Sequence, residues 1–532
     1  MKINTIKLLL FFVLAFLSGN ILLAQTWEHT YGIPGRYENT WGVSKSYDRG
    51  FVQATRVNDG ALWLNKIDVN GNILWSKYYK HNYLNQHLYT MGMASHIQDG
   101  TLLLTGSSSQ SDSWGSPVIF KINPCGEPEW CKIWQVIDGG YGVHVLNSGS
   151  GKIIIHTRYA NNSPMNIYDR FQLAEFDANG NFLWSSQIMP YQEDPKIINY
   201  DMYSLIRTSD EGYLFGGYGY FRDTSDTDLF WLQNMMVKCD PYGNAEWVKA
   251  YFKQDDDEEF RGAIGSVFEY NGKYYAGGTR YQYYGNQVIA SLPVLIKTDQ
   301  TGNMLERFHM LDDSLVFSLP WAFDVINDST IFMATRTTPI LSQSVHIGMI
   351  LTDTLGSIKK ALDGYNGFLV EDCLARSDDG KYLLTGGNKI EDDYNAYALK
   401  VNSKLEWDTV YTGQFTYDSL CGHTIDSTVV ICNCDITTGT IEPQHARENV
   451  SLIAYPNPAT DHVAVLLPET KSSILIKVSD LFGRTVIEKK YSMGNTKAIL
   501  NIQSLIDGYY LVTLTQNNSI VQNGKFLKKT LK

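Results

Sequence analysis

Acidic side chains are the first candidates for chemistry in this chain. Asp255-Asp256-Asp257-Glu258-Glu259 is the sharpest charge cluster, and a hard cation such as Ca²⁺ takes several oxygen ligands from one loop. Such runs are more often solvated connections between strands. That is the reading preferred here, and for Asp223, Asp226 and Asp228 as well. No cofactor is expected, with Ca²⁺ at these acids as the alternative. The acids are too many for a glycosidase-type carboxylate pair to be chosen by spacing. There is no His-Glu-x-x-His and no Gly-x-Ser-x-Gly, so neither a zincin site nor a nucleophile elbow is present. Ser148-Gly149-Ser150-Gly151-Lys152 lacks the leading glycine of a phosphate loop. His144, His309 and His346 have no partner at ligand spacing and read as structural. No catalytic residue is assigned.

Aromatic residues offer a second kind of chemistry. Tyr218, Tyr220, Phe221, Phe230 and Trp231 crowd one stretch, and Tyr281, Tyr283 and Tyr284 another. Exposed rings present rigid apolar faces with polar tips, which suits stacking on sugars. Packing between strands is their commoner use. Tyr218, Tyr220, Trp231, Tyr281 and Tyr283 are therefore the candidate ligand-facing set.

The elements that position these residues repeat. Lys238-Cys239-Asp240-Pro241-Tyr242-Gly243-Asn244 leads to Trp247, and the same turn-and-Trp unit recurs at Lys66–Trp75, Lys121–Trp130 and Phe176–Trp184. Weaker copies begin at Lys297, with Glu306 for Trp, at Leu351, and at Lys400, where the glycine is lost and Trp407 follows. A second unit alternates with the first: an Asp-Gly or Asn-Gly-type turn followed by a β-rich run, as at Asp48-Arg49-Gly50 and Asp210-Glu211-Gly212. Apolar positions alternate with period two, which excludes a helical solenoid. The repeat is about fifty to sixty residues with room for four short strands, the size of a propeller blade. Seven pairs predict a seven-bladed ring, with eight as the alternative because Asp426–Ile431 looks like half of another copy. Thr26–Gly32 resembles the strand after the turn in other copies, so it is expected to complete the last blade.

Met1–Ala24 has a positive start (Lys2, Lys7), an apolar run Leu8–Leu17 and a small residue before Gln25. This is a secretory signal peptide, with cleavage between Ala24 and Gln25. The formal net charge is −12, which argues against nucleic acid as a partner. No later stretch is apolar and long enough to span a membrane. Export permits disulfides among the seven cysteines. Cys125 and Cys131 flank one turn and are expected to pair, and Cys421 to pair with Cys432 or Cys434. Zinc binding by Cys432-Asn433-Cys434 is disfavoured by its spacing.

The domains read as signal peptide 1–24, propeller 25–436, linker 437–449 and C-terminal domain 450–532. The last is all-β: Val463, Val465 and Leu467 alternate, as do Ile474, Ile476 and Val478, then Tyr510, Val512 and Leu514, which predicts a small antiparallel β-sandwich. Four motifs mark it: Ala454-Tyr455-Pro456-Asn457-Pro458-Ala459-Thr460-Asp461, Val478–Val486 around Gly483, Leu505-Ile506-Asp507-Gly508-Tyr509-Tyr510, and Gly524-Lys525–Lys529. Together they resemble the type A C-terminal sorting domain of the type IX secretion system of Bacteroidota. The resemblance implies a secreted or outer-membrane-surface protein, delivered through the periplasm with the secretion machinery as partner. It assigns the sorting motif to Pro456, Asn457, Pro458, Asp461, Gly483, Gly508, Tyr510 and Lys525. The repeat region resembles, more loosely, the propeller-like Gly-Asn-x-x-Trp repeat proteins of the same bacteria. The expected function is a non-catalytic propeller that binds a glycan, polymer or protein outside the cell. The alternative is a carbohydrate-active hydrolase or lyase with carboxylates in the propeller funnel.

Overall fold

The computed structural model describes residues 27–437 and 454–530, apart from 34, 83–86, 96–98, 110–114, 135–139, 148–151, 160–169, 189, 191–193, 195, 223–229, 252–261, 285–286, 311–317, 328, 338–345, 391–392, 468–473, 481–483, 493–496 and 517–518. The signal peptide with its Ala24–Gln25 junction lies outside these residues, as do Asp223, Asp226, Asp228 and Asp255–Glu259. The chain divides into two compact units, Met1–Thr440 and Ile441–Lys532.

The first unit contains seven sheets, each built on four antiparallel strands, two of them extended to five by an added parallel strand. β1 (Glu28–Tyr31) stands apart at the start. Blade 1 is β2 (Glu38–Lys45), β3 (Phe51–Val57), β4 (Leu62–Ile67) and β5 (Ile73–His81); blade 2 is β6 (His87–Ser95), β7 (Leu102–Ser109), β8 (Ser116–Ile122) and β9 (Pro128–Trp134). Blade 3 is β10 (Gly140–Asn147), β11 (Ile153–Tyr159), β12 (Arg170–Phe176) and β13 (Phe182–Ile188); blade 4 is β14 (Ile197–Arg207), β15 (Tyr213–Arg222), β16 (Phe230–Cys239) and β17 (Ala245–Ala250). Blade 5 is β18 (Ile264–Tyr270), β19 (Lys273–Tyr284), β20 (Gln287–Thr298) and β21 (Met304–His309); blade 6 is β22 (Ser318–Asn327), β23 (Thr330–Thr337), β24 (His346–Thr352) and β25 (Ile358–Asn366). Blade 7 has β26 (Phe368–Arg376), β27 (Tyr382–Ile390) and β28 (Asp393–Val401). Its fourth strand is β1, with Glu28 opposite Leu399 and Tyr31 opposite Ala396. The ring is closed, as expected, by the residues next to Thr26.

The core lies between blades, because period-two alternation sends successive side chains to opposite neighbours. In β7, Leu102 and Leu104 join the cluster shared with blade 1, while Leu103 joins the one shared with blade 3. Among the described residues each of the seven blade interfaces has its own apolar cluster.

The repeated turn explains itself atom by atom. The Asp240 carboxylate accepts the backbone N–H groups of Tyr242 and Asn244 (2.9 and 2.8 Å) and the Asn244 side-chain amide (2.8 Å). Gly243 takes the positive φ this turn requires, 80°. Asp68, Asp177 and Asp299 repeat the pattern. In the last copy Leu405 holds the same left-handed conformation (φ 59°) in place of glycine. The Trp of each unit covers the turn of the following blade, not its own. Trp130 lies against Gly180, Trp184 against Gly243 and Trp247 against Gly302. The indole N–H groups of Trp130 and Trp247 donate to Ala178 and Gln300 carbonyls, both at 3.1 Å. Tyr79 and Tyr251, four residues after their Trp, donate hydroxyls to the carbonyls of Gly126 and Gly302.

The lysine two residues before the turn Asp pins the blade electrostatically. Lys238, buried, reaches Asp210 at 2.8 Å and Glu246 at 3.0 Å. Lys121 pairs with Glu129 and Lys297 with Glu306. In blade 3 the charges are exchanged: Glu175 stands at the lysine position and pairs with Lys152.

Three expectations are corrected. The Trp of the seventh unit is Trp27, not Trp407: its indole donates to Val69 carbonyl (2.8 Å) and Tyr31 to Gly71 carbonyl (2.8 Å), reproducing the staple across the closure. Trp407 forms an isolated bridge with Val401 and packs, half-buried, on the core between blades 6 and 7 before the chain leaves the blade. Residues 425–434 are not part of an eighth blade. β29 (Thr428–Cys432) adds in parallel to the outer edge of β5, and β30 (Asp435–Thr437) to that of β9, so Thr437 ends a strand and does not open a linker. Finally, Cys125 and Cys131 are not joined to each other. Adjacent in one hairpin, they face the returning chain instead, as Cys125–Cys421 (Cα–Cα 5.2 Å) and Cys131–Cys434 (4.5 Å). Cys432 is a buried free thiol, as are Cys239 and Cys373.

The second unit is a two-sheet sandwich. One sheet has β31 (Ala454–Tyr455), β32 (His462–Leu466) and β35 (Lys497–Asn501); the other has β33 (Ile474–Ser479), β34 (Thr485–Tyr491), β36 (Gly508–Gln516) and β37 (Ser519–Lys528). All nine residues of the three alternating runs noted above are buried between them.

Trp27 is fully buried at the closure. Trp27→Ala should lower stability by about 3–5 kcal/mol, whereas Trp407→Ala, outside the ring's staple, should cost about 1 kcal/mol. Urea unfolding of the two variants measures this, and equal losses would contradict the closure assigned to Trp27.

Candidate functional site

Both repeated turns of every blade fall at one end of the strands. The opposite end takes connections of unequal length, and the candidate aromatics lie toward it. Tyr218 and Tyr220 are on β15 with ring centroids 5.6 Å apart. Tyr220 is 36% exposed and Tyr218 half-buried. Trp231 is on β16 opposite Phe221, and Tyr281 and Tyr283 are on β19 opposite Ser291 and Val288. The side chains of Trp231 and Tyr283 are outside the described residues. Phe221 turns inward to the core between blades 3 and 4.

The inner strands of blades 1 to 6 each carry a one-residue β-bulge. The extra residue is Trp41 in β2, Met91 in β6, Val143 in β10, Tyr203 in β14, Gly265 in β18 and Trp321 in β22. A bulge re-aims one side chain out of the pleat. Tyr203 and Trp321 belong to blades 4 and 6, which are not neighbours, yet their ring centroids are 5.7 Å apart. They meet on the axis side of blade 5, where Gly265 has no side chain to intervene. A Cβ at Gly265 would lie 1.9 Å from Pro320 carbonyl oxygen. Tyr203 also contacts Tyr218, centroids 5.5 Å apart. Tyr220, Tyr218, Tyr203 and Trp321 thus form one continuous aromatic wall. The Trp321 indole N–H is buried with no partner among the described residues.

Charged groups border this wall. Arg158 of β11 donates to the buried Asp201 of β14 and to the Tyr141 hydroxyl (3.1 Å). Burial, then the negative charge of Asp201, push the Tyr218 hydroxyl up to about 12. Beneath Arg158, His144 and His156 stack at 5.5 Å. Burial, then His144 and Arg158, hold His156 well below its ordinary value and keep it neutral. His309 lies exposed on β21 and His346 half-buried on β24.

The residues missed by sequence reasoning are Tyr203, Trp321, Tyr141, Arg158 and Asp201. A signal existed for two of them. Trp41, Tyr203 and Trp321 each stand seven residues before the Asp of the following turn, at Asp48, Asp210 and Asp328.

One acid at this end is perturbed. Glu38, on β2 at the seam with blade 7, is fully buried and raised to about 7, by burial first and by the charges of Asp393 and Asp59. Its oxygens accept the Ile33 N–H at 3.2 and 3.1 Å. Asp59 is engaged by Arg36 and Lys80, and Asp393 accepts the Gly35 N–H. The cluster Cys125, Cys421 and His423 offers no thiolate, since its two sulfurs are bonded together. Cys432-Asn433-Cys434 offers no thiolate pair either, because Cys434 is in a disulfide.

In the sandwich several motif residues take part in its hydrogen bonds and core. The Asn457 side chain accepts the Leu527 N–H (2.9 Å) and donates to Lys525 carbonyl (3.4 Å). The Asp461 carbonyl accepts the Ile502 N–H, and Gly508 pairs with Lys528. Tyr510 stacks on Phe526 and donates to Ile506 carbonyl. Lys525 is exposed, whereas Lys528 is buried beside Asp507. Gly483 lies outside the described residues.

Residues 453–529 are a secretion system C-terminal sorting domain. The sorting domain makes this an exported protein, secreted or held at the cell surface, with the type IX machinery as partner. No curated protein matches the chain. Similar solved structures include a PL25 ulvan lyase (9% identity, TM-score 0.48, covering 70% of this chain and 96% of that one) and the β-propeller domain of the Trilobed protease from Pyrococcus furiosus (8%, 0.40, 72% and 98%). A third is the GH93 α-L-arabinofuranosidase of Fusarium graminearum (12%, 0.38, 61% and 96%). Likeness at this distance carries no chemistry across to this chain. Among the described residues no helix is long and apolar enough to cross a membrane.

A carboxyl whose folded pKa is raised binds more protons folded than unfolded between the two values, so stability falls as pH rises through that window. For Glu38 the window runs from 4.5 to about 7. Glu38→Gln should flatten the decline in denaturation midpoint between those pH values, and an unchanged slope would contradict the assignment.

Proposed function

We propose that the propeller is a non-catalytic binding module working outside the cell, and that of a glycan, a polymer or a protein its ligand is a glycan held at the aromatic end of the channel. The observation that carries this is the wall Tyr220–Tyr218–Tyr203–Trp321. Sugar rings present apolar C–H faces that stack on aromatic planes, with hydroxyls left for polar tips. The high-pKa Tyr218 hydroxyl and the unpartnered Trp321 N–H are donors of that kind. A catalytic reading has one observation in its favour, the raised Glu38. That carboxylate is fully covered, and its acidic neighbours are held by cations or backbone.

A glycan array and a polysaccharide pull-down with the exported protein test the reading. Tyr220→Ala should weaken binding about three- to tenfold while leaving the unfolding midpoint unchanged, because the ring is well exposed. Blank results in both assays, or wild-type affinity in that variant, would count against the aromatic wall as the site. Separately, deleting Pro456–Lys532 should abolish delivery to the surface and medium, as followed by cell fractionation.

A further inference from the structure

After Asp408, whose N–H still donates to the Lys400 carbonyl, the chain leaves blade 7 and crosses the turns of blade 1 as a strap. The Tyr411 N–H donates to the Asn70 side chain, whose amide donates back to Tyr411 carbonyl (2.7 and 2.9 Å). Tyr417 hydroxyl accepts the Val69 N–H (3.0 Å), and the Asp418 N–H donates to Asp48 (2.8 Å). The Asp418 carboxylate supplies Lys66 with a second partner beside Asp48. Further on, β29 covers the edge of β5 and β30 that of β9.

The non-covalent hold is concentrated at two points, the Asp418 pair with buried Lys66 and Cys432, which lies in the core between blades 1 and 2 with Ile425, Val430 and Cys434 against it. No residue from Thr409 to Ile431 is buried, and Val429 and Ile431 are more than half exposed. Hydrogen bonds near solvent exchange readily with water and contribute little. The ring does not need the strap, since β1 completes blade 7. Yet both disulfides bind the strap to a single hairpin, β8–β9, over sequence separations of 296 and 303.

We propose that the strap is a redox-controlled cover. Oxidised, it seals the outer edges of β5 and β9, which would otherwise offer unpaired backbone groups to other strands. Reduced, it lifts away while the seven-bladed ring stays closed. Forming each bridge removes two protons and two electrons from a pair of thiols. A disulfide-bearing oxidant takes them up and becomes a dithiol; a dithiol reductant returns them and becomes a disulfide. Such bridges form after export, not in the cytoplasm, so the cover locks where the sorting domain sends the chain. Cys125 and Cys421 are half-exposed and Cys131 is buried, so the outer bridge is the first open to attack. The proposal rests on export and not on the glycan reading.

Hydrogen exchange followed by mass spectrometry on the full exported chain, with and without a dithiol reductant, tests it. Thiol alkylation at Cys125, Cys131, Cys421 and Cys434 confirms reduction. Exchange should rise about tenfold or more in residues 428–437 and in the outer edges β5 and β9, with blades 3–6 unchanged. Unchanged exchange after confirmed reduction would overturn the proposal, as would a rise throughout the ring. A Cys421→Ser/Cys434→Ser variant should fold and behave as the reduced protein; failure to fold would show that the ring depends on the bridges and would also overturn it.

Discussion

The ring depends on contact between the last strand of one blade and the turn of the next. A four-stranded sheet of this size leaves both faces apolar, and neither can be covered within the blade. Trp130, Trp184 and Trp247 each lay a large flat ring on the following blade's turn glycine, where any side chain would hold the indole away. The turn is rigid because its Asp already satisfies two backbone N–H groups. A rigid turn gives the indole N–H a carbonyl at a fixed position, so each blade sets the placement of the next. Trp27 donates the same indole hydrogen bond from the N-terminal strand, with His29 against the turn glycine Gly71.

The repeated turns and their lysine pins gather at one end, and that end serves stability. The other end is left free to vary, which is why the aromatic wall sits there. A one-residue bulge recurs in the inner strands of blades 1 to 6. Where that residue is glycine, as in blade 5, rings from the two flanking blades reach each other. A continuous aromatic surface thus arises by changing single residues on an unchanged scaffold.

The sorting domain is built on a different plan. Its two sheets bury one alternating face each, and the motif residues are used partly in holding an edge together through Asn457 and partly in presenting exposed groups such as Lys525. Lys528, by contrast, is drawn inward by Asp507, so a basic run in sequence does not become a uniform basic surface.

Much of this was legible because it is local. The period-two alternation, the turn chemistry and the four motifs near the end each depend on residues within about ten positions of one another. Closure was also legible, because Thr26–Gly32 repeats a pattern whose place in the blade was already known. What tertiary structure alone decided involves partners hundreds of residues apart. Cys125 and Cys131 looked paired because they are neighbours, but the chain that bonds them returns from positions 421 and 434. Trp407 looked like the seventh Trp, yet the N-terminus occupies its place. Tyr203 and Trp321 are 118 positions apart by the difference of their numbers, and only the curvature of a closed ring brings their planes together. Local spacing determines which strand a residue joins; which other strand it faces is set by how the blades are arranged around the axis.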